Sequence, residues 1–189
     1  MRAVVVSEFI TLDGIIDDPG GSEGTEGGGW AFQYERGAEG DKFKLDETLD
    51  ADVLLLGRKT YEGFAAAWPS RTDEVGFADK FNSMPKVVYS TTLTDPEWNN
   101  TTVIVSDLEK EIAALKEQGG GDILVSGSGS LVRELLRLDL VDELRLMVFP
   151  LVLGKGQRLF EEGVPPKHLR IADVRTAGEV AILTLRRKD

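Results

Sequence analysis

The chain of 189 residues contains no cysteine and a single histidine, His168. Without cysteine there is no disulfide, no thiolate nucleophile and no thiolate zinc site. With one histidine a multi-histidine metal centre is impossible, and a histidine-based catalytic triad has no support. Positive charge is scarce as well, since 22 Lys and Arg stand against 33 Asp and Glu, a formal net charge of −11. A surface of that sign repels polyanions, so neither nucleic acid nor an anionic membrane is an expected partner. Any phosphate has to be held by local donors. The apolar runs fall far short of the ~20 residues that span a bilayer. Met1 leads almost at once into a β-branched run, with no charged leader and cleavage site. These absences predict a cytoplasmic protein, folded as one domain over residues 1–189.

The stretch from Asp122 to Phe160 is the most informative part of what is present. Ile123-Leu124-Val125 reads as a short buried strand and ends in Ser126-Gly127-Ser128-Gly129-Ser130. Leu131, Val132, Leu135, Leu136 and Leu138 then recur at helical spacing, with Arg133, Glu134 and Arg137 on the other face. A strand therefore feeds a glycine-rich turn, and the turn feeds a helix start. Unpaired amides and the helix dipole make such a place an anion site, and the glycines let a ligand approach the backbone. The dinucleotide fingerprint of the Rossmann fold does not fit. Val132 takes the third glycine position, and Met147-Val148-Phe149 stands where an acidic residue is needed about twenty positions on. Another nucleotide-binding α/β fold remains open.

The same grammar occurs earlier. Val53-Leu54-Leu55-Leu56 is a buried strand ending in Gly57-Arg58-Lys59-Thr60, after which Tyr61 begins a helix. Arg58 and Lys59 place positive charge where an acidic protein needs it to hold an anion. Before this, Ala3 to Leu12 forms a central strand stopped by Asp13-Gly14, a bulge or sharp turn. Asp17 to Gly29 carries six glycines and reads as a mobile surface loop, followed by Trp30, Phe32 and Tyr34. It is either a substrate lid or a loop that the aromatics anchor to the core. Helices are predicted over Asp41–Leu49, Asp73–Asn82 and Leu108–Gln118, and strands over Lys86–Tyr89 and Val103–Val105. Beyond Asp142 the pattern turns to alternating strands, with a hairpin formed by Leu169–Val174 and Val180–Leu185.

Five pieces carry a family resemblance. They are Thr11-Leu12-Asp13-Gly14, Gly57-Arg58-Lys59-Thr60-Tyr61-Glu62, Val88-Tyr89-Ser90, Gly127-Ser128-Gly129-Ser130-Leu131, and Asp142-Glu143-Leu144 running into Pro150-Leu151-Val152-Leu153-Gly154-Lys155-Gly156. In this order the chain resembles the dihydrofolate reductase-like family, most of all the C-terminal reductase domain of the riboflavin-biosynthesis deaminase–reductase and its stand-alone relatives. The resemblance implies a three-layer α/β/α fold with a mixed, mostly parallel sheet and a C-terminal antiparallel hairpin. It also implies an NADPH-dependent reductase acting on a small pterin-like or pyrimidine-like molecule. Gly57, Arg58, Lys59 and Thr60 would reach the cofactor's phosphates, Ser90 and Thr91 its adenosine end, and Gly127, Ser128, Gly129, Ser130 and Leu131 its pyrophosphate. Leu12, Gly14 and Ile15 would lie beside the nicotinamide. For the proton donor, ungapped alignment on Gly57 points to Asp41, with Asp46 and Glu47 nearby, and position at the strand's end points to Asp13.

The zinc deaminase half is impossible here, and the Pro-Trp pair of true dihydrofolate reductases is missing, since Gly29 precedes Trp30. The competing reading is a nucleotide-binding module without catalysis. Leu144–Val152 and the terminal hairpin either present an apolar surface that joins a homodimer or fill the monomer's own core.

Overall fold

The computed structural model describes residues 1–162 and 165–188. Its centre is an eight-stranded sheet in the order β4-β3-β2-β5-β1-β6-β8-β7. The strands are β1 (Val4–Thr11), β2 (Ala51–Gly57), β3 (Lys86–Tyr89), β4 (Thr101–Ile104), β5 (Asp122–Val125), β6 (Glu143–Phe149), β7 (Leu169–Ala177) and β8 (Val180–Arg187). Strands β1 to β6 run parallel, and β8 and β7 add antiparallel at one edge. This is the expected mixed sheet with its terminal hairpin.

Parallel strands covered on both faces read as unbroken apolar runs, which is why Val4 to Val6, Leu54 to Leu56 and Ile123 to Val125 carry no polar residue. Their side chains alternate between two cores. Val4, Val6, Ile123 and Val125 face Ile112 of α4 (Leu108–Glu117) and Leu131 and Leu135 of α5 (Gly129–Arg137). Val5, Leu54, Leu56 and Leu124 face Tyr61 of α2 (Arg58–Ala67) and Phe81 of α3 (Phe77–Ser83). A third cluster packs Trp30, Phe149 and Ile182 beside Phe43 of α1 (Gly37–Asp50). Each such aliphatic or aromatic side chain taken fully out of water contributes about 1.5–3 kcal/mol.

Three local expectations change. The helix predicted from Asp73 starts at Phe77, because Asp73 instead accepts the amides of Phe77 at 2.8 Å and Ala78 at 2.5 Å and so caps it. The glycine-rich loop is organised around one buried side chain. The Asp18 carboxylate accepts from Glu23 N at 3.0 Å and Thr25 N at 3.1 Å, and its carbonyl accepts from Gly29 N at 2.8 Å. Trp30 anchors the loop's end edge-on to Phe149, centroids 5.1 Å apart, whereas Phe32 lies exposed. The apolar surface expected over Leu144–Val152 is mostly interior, since Leu144, Leu146, Met147 and Phe149 are buried; Val152, Ile171 and Val174 are the exposed ones.

Strand lengths set the site. The pairing of β1 with β5 ends at Val6 and Val125, while β1 continues alongside β6 as far as Thr11. The second half of β1 thus overshoots the end of β5. The turn from Ser126 to Ser128 fills the step.

Candidate nucleotide site

The two glycine crossings lie side by side. Strands β2 and β5 are neighbours, and at their carboxyl ends Gly57 N donates to Gly127 O at 3.1 Å. A Cβ at Gly57 would overlap Ser128 Oγ and stand 3.0 Å from the Ser128 amide nitrogen. Only glycine permits that approach. A Cβ at Gly127 would stand 2.8 Å from Thr60 Oγ1 and 3.6 Å from Glu8 Oε1. One at Gly129 would overlap Ile16 Cδ1 and stand 3.2 Å from both Arg133 Nη1 and Gln157 Oε1. The ends of β1, β2 and β5 therefore meet in one place.

Helices α2 and α5 both start here, and neither has a side chain capping its first turn. Their leading amides are left for solvent or ligand, and both dipoles offer partial positive charge to an anion. Ser130 is exposed on the first turn of α5, whereas the Leu131 side chain is buried in the core, so only its backbone is available. Arg58 is held on the flank of α2, its Nη1 2.9 Å and 3.0 Å from the two carboxylate oxygens of Glu62. Lys59 is exposed, and its charge acts on Glu23 of the glycine-rich loop. Burial, with Asp18 next, raises the Glu23 pKa against the pull of Lys59.

Ser90 directly follows β3, the neighbour of β2, and its Oγ is occupied in a turn, accepting from Thr92 N at 3.2 Å and Leu93 N at 3.0 Å. Thr91 next to it is exposed. In the turn after β1, Leu12 is exposed, Gly14 takes a positive φ of 84°, and Ile15 is wholly buried. Ile15 can therefore reach a ligand only through its backbone, whose amide donates to Thr11 Oγ1 at 2.9 Å.

Both candidate aspartates are engaged with other groups of the chain. The Asp13 carboxylate accepts from Thr11 Oγ1 at 2.6 Å, Gly154 N at 2.8 Å and Leu153 N at 3.3 Å. The Thr11 hydroxyl, followed by the Gly154 amide, holds its carboxyl below the usual carboxylate range. It braces two loops as an anion. Asp41 lies on the solvent side of α1, 66% exposed and 2.6 Å from Arg36 Nε. Asp46 pairs with Lys42 on the same exposed flank. Glu47 is buried under β1, accepting from Ser7 Oγ at 2.8 Å and paired with Lys44 and Arg145.

The carboxyl that does reach the crossing is Glu8, on the overshooting half of β1. Its Oε1 is enclosed and has no hydrogen-bond partner among the described residues. Burial pushes the Glu8 pKa up to about 8 against the opposing pull of Lys44. The sequence held one signal for it: a carboxylate inside a mostly apolar strand, between Val4-Val5-Val6 and Phe9-Ile10.

Among the described residues no group of three or more His, Asp or Glu side chains could hold a metal. A cavity of about 240 Å³ lies at the other end of the sheet, lined by Leu136, Leu144, Leu169 and Leu185 with Asp142 and Arg187. It takes no part in the crossing. No helix among the described residues is long and apolar enough to cross a membrane.

A family model described as the RibD C-terminal domain matches residues 2–183. The uncharacterized protein YyaP of Bacillus subtilis is 29% identical over 179 residues, 93% of this chain and 89% of its own length. Among solved structures, a protein of Shewanella sp. PV-4 superposes with a TM-score of 0.78 at 24% identity, all of both chains covered. A deaminase/5-amino-6-(5-phosphoribosylamino)uracil reductase from Thermotoga maritima superposes with a TM-score of 0.63 at 19% identity, covering 99% of this chain and 57% of that one. These likenesses show the dihydrofolate reductase-like α/β fold.

Proposed function

The chain belongs to the RibD C-terminal domain family, and on that premise we propose that it is a reductase using NADPH on a small heterocycle of the pyrimidine or pterin kind. The observation that carries this reading is the contact of Gly57 with Gly127 and Ser128. Two uncapped helix starts and an Arg-Lys pair converge there, which suits a ligand with several phosphates better than one with a single anionic group. A pyrimidine substrate accords with the uracil reductase named for the Thermotoga maritima structure. Deamination is no part of the proposal, because the chain has no cysteine to ligate zinc.

The residues fit the dinucleotide part by part. The first-turn amides of α2 and α5 take the pyrophosphate, with Thr60 and Ser130 hydroxyls beside them. Arg58 takes the 2′-phosphate of the adenosine ribose, exchanging Glu62 for a more highly charged partner. Thr91 and the backbone at Ser90 border the adenosine end. Leu12 and the backbone of Gly14 and Ile15 border the nicotinamide. NADPH, when bound, supplies the hydride. The protein's task is to hold the acceptor against the ring, exclude water and manage a proton.

A nucleotide-binding module without catalysis keeps the same crossing and is favoured by the placement of Asp13 and Asp41. Oxidation of NADPH in the presence of candidate pyrimidines or pterins, with the reduced product identified, separates the two. The cofactor assignment is tested by Arg58→Ala. It should weaken NADPH about tenfold or more and NADH by less than about threefold, the usual worth of one charge-assisted contact. An equal loss for both removes Arg58 from the 2′-phosphate.

A further inference from the structure

Glu8 is the one group at the crossing whose arrangement nothing so far explains. A carboxylate there is doubly out of place. Its Oε1 is drawn out of water, and it sits beside Gly127, just before the helix that should receive an anion. As an anion it would repel the phosphates that α2 and α5 attract. As a neutral acid it would do the opposite, since a protonated carboxyl offers an O–H donor to a phosphate or carbonyl oxygen. The surroundings favour that form. Beside it β6 places Leu146 in register, α2 brings the Thr60 hydroxyl, and α5's Arg133 is turned to Glu161 and to Arg158 O. The charge acting on Glu8 is that of Lys44 on α1, and Lys44 is already engaged with Ser7 and Glu47. Nothing among the described residues donates to Oε1. A buried polar atom left unpaired costs stability unless a ligand completes it.

We propose that Glu8 is a further ligand-binding residue of this site, its carboxyl protonated and donating a hydrogen bond to an acceptor atom of the bound dinucleotide beside Gly127. The inference rests on the reading of the crossing as an NADPH site. It adds that binding takes up a proton wherever the free protein has lost it, because burial places that loss near pH 8.

The test is titration of the whole protein with NADPH from pH 6.5 to 9.5, followed by cofactor fluorescence, for wild type and Glu8→Gln. The amide keeps a donor and cannot ionise. Wild-type affinity should be level below about pH 7.5 and fall by nearly tenfold per pH unit above about 8.5. Glu8→Gln should show no such fall and should bind more tightly than wild type at pH 9.5. Lys86 also titrates near pH 8, but it lies at the opposite end of β3 and is unchanged in the variant. Calorimetry of the wild type at pH 9 in two buffers of different ionisation enthalpy should read uptake of nearly one proton, which needs no variant. Level wild-type affinity across the range, an identical fall in Glu8→Gln, or no proton uptake overturns the role of Glu8 and leaves the nucleotide site standing. Absence of NADPH binding at every pH overturns the site itself, and the inference with it.

Discussion

Glu8, Asp13 and Asp41 are chemically almost the same group, and their surroundings give them three different uses. Asp41 is solvated and ion-paired, Asp13 is held charged by a hydroxyl and two amides, and Glu8 has an enclosed Oε1 to which nothing among the described residues donates. The Glu8 pKa is about 8 in the folded chain against an ordinary 4.5. A group raised by folding adds its full stability below the unfolded value and loses it as the pH climbs to the folded one. Folding therefore takes up a proton between pH 4.5 and 8. Relative to Glu8→Gln, the wild type should lose about 1–3 kcal/mol of stability between pH 5 and pH 8, a figure reduced for the partial exposure of the residue. Urea unfolding of both proteins at the two pH values measures this. A difference that stays constant with pH would mean that Glu8 ionises in the folded protein as it does in water.

At the scale of elements, the glycines of the two crossings decide whether α2 and α5 can present their first turns to one ligand. Gly57→Ala should force the Ser128 turn away, cost about 1–3 kcal/mol of stability as an overpacked contact does, and weaken NADPH at least tenfold. Adding Ser128→Gly removes the overlapping Oγ and Cβ and should restore part of both losses. A Gly57→Ala protein that binds NADPH normally would show that the crossings have slack between them.

These elements were legible because their causes are local. Val53 to Leu56 and Ile123 to Val125 are apolar because both faces of each strand are covered, and a glycine follows each because a helix must start in a confined space. What stayed hidden depends on partners far away in the chain. Asp13 is a brace only because Gly154 meets it 141 positions later. Glu8 matters only because β1 outruns β5, a fact of register that neither strand shows by itself. The start of α1 at Gly37 has no side-chain cap to announce it, and Asp73 could be read as helix or as cap until its acceptors were seen.

On the scale of the whole molecule, a chain of net charge −11 is proposed to bind a highly anionic ligand. The fold makes this consistent by gathering the ends of β1, β2 and β5 and the starts of α2 and α5 at one rim of the sheet, with Arg58 and Lys59 beside them. A cavity of about 240 Å³ lies at the other rim, away from these elements. A long ligand lying along an open rim needs amides and charges at intervals, which is what this rim offers. The central claim is that one dinucleotide bridges the two crossings, and a crystal structure of the protein with NADPH tests it most directly. The account predicts pyrophosphate density against the first-turn amides of α2 and α5, with the 2′-phosphate on Arg58 and an acceptor atom within hydrogen-bond reach of Glu8. Ordered NADPH elsewhere on the molecule, or phosphates touching only one of the two helix starts, would contradict it.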